Sequence, residues 1–131
     1  MRASLTGRIV PMIHVTDVLA TVNWYKGIGF KIIDTYEDDA GGVLFAILSL
    51  GSSEVMFNSG GQPSMKHRRE ADLYIYTEKI DALYERLKDR VEIVESPHDT
   101  FYGMREFIIR DVNRFWITFA QAIQKQVGKQ S

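Results

Sequence analysis

The chain has 131 residues, 45% of them hydrophobic and 25% charged, with a formal net charge of -1 and no cysteine. That is enough for one domain, which should bury roughly two-thirds of its unfolded surface. The near-neutral charge predicts no nucleic-acid or membrane partner, and the missing thiols exclude disulfides, thiolate nucleophiles and cysteine-based zinc sites.

No apolar run approaches the ~20 residues of a bilayer-spanning helix. The opening Met1-Arg2-Ala3-Ser4-Leu5-Thr6-Gly7 has no apolar core of a secretory signal, so the expected location is cytoplasmic. In residues 8–15, Ile9, Ile13 and Val15 alternate with Val10, Met12 and His14, the period of a strand. Thr16-Asp17 offers a helix N-cap. Val18, Val22 and Tyr25 share one face of a helix that Gly27-Ile28-Gly29 should stop. Strands are expected at 30–36, 44–50 and 54–58, with Gly41-Gly42 and Gly51-Ser52-Ser53 as turns.

The same order then recurs. Residues 71–76 alternate, Thr77 can cap, and Ile80, Leu83, Tyr84 and Leu87 make an amphipathic face. Strands follow at 91–95, 105–110 and 115–121. Moving the first half by 61 positions lays Thr16-Asp17 on Thr77-Glu78 and Phe57 on Thr118. The expected organisation is one α+β domain of two βαβββ modules, about 8–58 and 71–121. Between them lies a flexible, solvated linker (59–70), and after them a polar tail (122–131).

Strand side chains alternate between faces, so each aliphatic side should lie under a helix. The other side mixes aromatic and polar groups: Met12 and His14; Asp72, Tyr74 and Tyr76; Trp116 and Thr118. Such a mixture suits a concave binding surface, and equally a second core layer or a dimer interface.

Ile13-His14-Val15-Thr16-Asp17, Trp24-Tyr25 with Gly29-Phe30, and Tyr102-Gly103-Met104-Arg105-Glu106-Phe107 before Arg110-Asp111 together resemble the vicinal oxygen chelate superfamily. That superfamily holds glyoxalase I, extradiol dioxygenases and bleomycin-resistance proteins. The resemblance spans about residues 8–121 and is nearest to the bleomycin-resistance-like branch. It implies a curved mixed sheet around a cleft, and a homodimer. The family's metal-ligand positions fall on Val10, Phe57 (Met56 if the register slips by one), Asp72 and Thr118. Only Asp72 is a competent ligand, so the resemblance is to a member without the family's metal, and neither a metal nor another cofactor is expected.

The resemblance therefore implies metal-free binding and sequestration of a small molecule, an antibiotic or an aromatic metabolite. Met12, Phe57, Tyr74, Tyr102 and Trp116 would supply stacking area, and His14, Asp72, Arg105 and Thr118 the polar contacts. Two other readings stand beside it. One is a metal-dependent lyase, isomerase or dioxygenase with ligands relocated to His14 and Asp72, with Glu106 or Glu54 as a third. The other is a structural or regulatory dimer without a ligand. His67 and His98 read as surface residues, and no phosphate-binding loop or nucleophile elbow is present.

Overall fold

A computed structural model describes residues 6–124, and the chain separates into two compact units between Pro63 and Ser64. In the first, the order is β1 (Met12–His14), α1 (Val18–Ile28), β2 (Lys31–Glu37), β3 (Val43–Leu50) and β4 (Ser53–Asn58). The sheet runs β1-β4-β3-β2, with β1 parallel to β4 and the other pairs antiparallel. Asp17 caps α1 by accepting the Ala20 N–H at 3.0 Å. Gly29 ends the helix in the left-handed region, φ 119°, which a side chain would strain. The apolar stripe Val18, Val22 and Tyr25 is buried, with Ala46, Leu48, Val55 and Phe57 from the sheet. The Tyr25 and Phe57 rings lie 4.8 Å apart.

That contact corrects one expectation. Phe57 is fully buried and pairs in register with Ile13 and Ala46, so it belongs to the helix-covered side of β4, not to an open binding face. Met56, paired with Met12 and Ile47, occupies the open face instead. Residues are also lost from the expected first strand. Only Met12–His14 is regular, and Ile9 is 94% exposed: the strand begins after Pro11, which has no N–H to give to the ladder, although β4 continues to Ser53.

The second unit repeats the plan: β5 (Asp72–Tyr76), α2 (Ile80–Leu87), β6 (Glu92–Asp99), β7 (Met104–Arg110) and β8 (Trp116–Ala122), in the order β5-β8-β7-β6. Its core sets Ile80 and Leu87 of α2 with Phe107, Ile109, Ile117 and Phe119. Thr77 does not cap α2. Lys79 stands at the cap in the left-handed region with no side-chain bond, and Gln121 of β8 accepts the Ile80 N–H at 2.9 Å. The strand thus answers the helix end that the sequence assigned to a local threonine. β6 runs past its expected end through Pro97, which an edge strand tolerates because the missing N–H has no ladder partner to lose.

The linker segment is exposed over most of its length but is hydrogen-bonded to both units. Ser59 and Gly61 donate their N–H groups to Leu44 and Val15 carbonyls in the first unit. In the second, Arg114 and Arg110 donate to the carbonyls of Lys66 and His67, both at 2.9 Å, and Arg69 donates to the Asn113 carbonyl while its guanidinium covers Phe115. Arginines bonded to backbone carbonyls turn a hydrophilic run into a strap. The tail beyond residue 124 lies outside the described residues.

Candidate binding recess on the second unit

The open face of the second sheet is built in rows. Tyr74 pairs with Thr118 and Thr118 with Ile108; Asp72 pairs with Trp116 and Trp116 with Arg110; Tyr76 pairs with Ala120 and Ala120 with Glu106. β8 separates β5 from β7, which puts those two strands roughly 9–10 Å apart. The small side chains of Thr118 and Ala120 let the Tyr74 ring lie across that gap. Its hydroxyl donates to Glu106 Oε2 at 2.5 Å. The turn before β7, with Gly103 at φ 85°, brings up a second phenol: Tyr102 donates to the same oxygen at 2.7 Å.

Glu106 is therefore a carboxylate 4% exposed, clamped by two tyrosines. Among the described residues no cation pairs with it. Both phenols titrate above the ordinary tyrosine range, Tyr74 first because of its burial and then its bond to Glu106, Tyr102 chiefly through that bond. They remain O–H donors at neutral pH.

The strap closes the other end. Arg68 lies over the Trp116 ring, 4.1 Å from its centroid, and bonds Asp72 at 2.5 Å. The Trp116 indole N–H and the Arg110 Nε are both buried and find no hydrogen-bond partner among the described residues. Phe101, 99% exposed, and His98 extend the wall; His98 contacts the Ser96 carbonyl at 2.9 Å and Glu95 at 3.5 Å. Arg68, Asp72, Trp116, Phe101 and His98, with Tyr74, Tyr102 and Glu106, line an open recess of about 540 Å³, within the range of small-molecule sites.

The residues singled out from sequence fall into three places. Asp72, Tyr74, Tyr102, Trp116 and Thr118 meet in this recess. Met12 and His14 lie on the open face of the first unit, where His14 contacts the Ser59 carbonyl at 3.3 Å and the Asn58 amide reaches the Met12 sulfur at 4.0 Å. Phe57 and Arg105 point to helix-covered sides. Arg105 bonds Asp81 of α2 and Asp99, both at 3.0 Å, because strand alternation turns it away from its neighbour Glu106. From the sequence Glu106 has no more than a ligand's part, and Arg68 reads as a charge on a solvated linker. For Glu106 a signal existed: an acid between Phe107 and Arg105 in a strand with three apolar neighbours on its C-terminal side. Arg68 carried none, since its contacts with Asp72 and Trp116 depend on the strap's path.

The family's metal positions can now be read as Val10, Met56, Asp72 and Thr118. An alkyl group, a thioether, a carboxylate already held by Arg68 and a hydroxyl do not fit a resident divalent cation. Among the described residues no group of three or more His, Asp or Glu is placed to hold a metal ion.

Comparison with known proteins agrees with the architecture. The family described as the Glyoxalase/Bleomycin resistance protein/Dioxygenase superfamily matches residues 8–119. No curated protein matches the chain. Among solved structures, TioX from Micromonospora sp. ML1 superposes with a TM-score of 0.73 at 20% identity, covering 90% of this chain and 100% of that one. A glyoxalase-related enzyme from Clostridium phytofermentans gives 0.72 at 19% identity over 94% and 100% of the two chains. A glyoxylase/bleomycin resistance protein/dioxygenase domain from Frankia sp. EAN1pec gives 0.71 at 20%, over 91% and 99%. At these identities the likeness is one of fold.

Proposed function

This chain belongs to the glyoxalase/bleomycin resistance protein/dioxygenase superfamily, and from that premise we propose that it binds and sequesters a small aromatic molecule, an antibiotic or a metabolite, without a metal. The observation that carries the reading is the recess of the second unit. There Tyr74, Tyr102, Phe101 and Trp116 line the same recess as a buried carboxylate, while of the positions used by metal-binding relatives only Asp72 carries a competent ligand, and Arg68 holds it. Aromatic faces set among charged and hydroxyl side chains can supply both affinity and orientation. Rings stacked on these side chains add about 0.5–1.5 kcal/mol each beyond area burial.

The chemistry available is recognition. Glu106 Oε2 is occupied by two phenols, leaving Oε1 to accept from a ligand, and Trp116 offers a platform once Arg68 swings aside. Sequestration also fits a homodimer. Ile32, Ile33 and Tyr36 of the edge strand β2 are 40%, 56% and 68% exposed, apolar area a second copy would cover. Light scattering of the purified chain reads that directly, and a monomeric mass would end the dimer part.

A thermal-shift panel of aromatic compounds and antibiotics, run with and without chelator, tests the main reading. A true ligand at a hundredfold excess over Kd stabilises by about 2.7 kcal/mol, and chelator should leave that shift unchanged. Loss of the shift on chelation would favour the relocated-metal alternative.

A further inference from the structure

We infer that the ligand is an organic cation, an aromatic ring carrying a protonated amine, and that Arg68 is an internal competitor for its place. This rests on the recess being a small-molecule site and goes beyond it by naming the charge of the occupant.

Three observations converge. Glu106 is a carboxylate 4% exposed whose two hydrogen bonds come from neutral phenols, and no cation among the described residues meets it. A buried carboxylate in that state gains most from an ammonium that reaches its remaining oxygen. Second, the recess already holds a cation at its other end. The Arg68 guanidinium sits 4.1 Å over Trp116 with Asp72 at 2.5 Å, an aromatic face and a carboxylate recognising positive charge together. Arg68 reaches there from the strap, with its side chain 54% exposed, so it can leave without opening the core. Third, the lining groups count Asp72, Glu95 and Glu106 against Arg68, with His98 beside Glu95 at 3.5 Å. With Arg68 displaced, three carboxylates face the space. An anionic ligand would meet all of them, whereas a cation replaces the guanidinium on Trp116 and Asp72 or completes Glu106.

Titration of the full chain at pH 7 with protonated 1-naphthylmethylamine and with neutral 1-naphthylmethanol separates charge from ring. The amine should bind at least tenfold more tightly. In Glu106→Gln, which keeps an acceptor for the two phenols, that ratio should fall to near one while the alcohol binds as before. Arg68→Ala, a change on the exposed strap, should tighten the amine several-fold and leave the alcohol's ratio to wild type smaller; this variant decides the matter even where Glu106→Gln does not fold. Equal binding of amine and alcohol would overturn the cation inference and leave the small-molecule reading standing. Failure of both to bind at millimolar concentration would overturn both. Weaker amine binding in Arg68→Ala would show that the arginine helps rather than competes.

Discussion

At the scale of single residues, the decisive pairs differ by one position. Phe57 and Met56 are neighbours, yet one is fully buried against Tyr25 and the other lies on the open face. Phe57→Ala should cost about 3–5 kcal/mol in denaturant unfolding, as ring removal from a packed core does, and Met56→Ala clearly less. The same alternation parts Arg105 from Glu106. Strand faces were legible where aliphatics alternate strictly, as in β8, and not where both neighbours are apolar, as at Met56-Phe57. There only the ladder register fixes the face. The phenol pair makes a pH prediction. Tyr74 and Tyr102 titrate higher folded than unfolded, so the unfolded chain releases their protons first. Their contribution is fully present below the unfolded value of about 10 and is lost as pH rises beyond it. Urea midpoints should therefore fall above about pH 10, and less steeply in Tyr74→Phe.

At the scale of elements, the two helices are started by different means. α1 uses the local Asp17 that the sequence advertises, whereas α2 takes its cap from Gln121, 41 residues away. Gln121→Ala should cost about 1 kcal/mol of unfolding free energy, and Thr77→Ala close to nothing, a contrast opposite to the local reading. The strap shows the same limit. Its composition, Lys66-His67-Arg68-Arg69-Glu70, speaks of solvent, but composition does not contain the carbonyls that Arg110 and Arg114 reach. Hydrogen exchange should find the His67–Arg69 amides slower in wild type than in Arg114→Ala.

For the molecule as a whole, the tandem βαβββ plan was readable because its signals are periodic and repeated, and a 61-residue shift aligns them. The candidate site was readable in part. Asp72, Tyr74, Trp116 and Thr118 sit on two strands paired in register, so alternation alone collects them. Overall charge misled: -1 for the whole chain says little about a recess where three carboxylates face one arginine. Local charge, set by topology, decides what such a surface attracts.

In the proposed function this recess binds its ligand through aromatic side chains with no metal. Isothermal titration of the tightest panel compound into chelator-dialysed wild type and Trp116→Ala tests it most directly. An undiminished isotherm is expected for the dialysed wild type, and at least tenfold weaker binding for the variant. Binding that disappears on dialysis, or that Trp116→Ala leaves untouched, would contradict it.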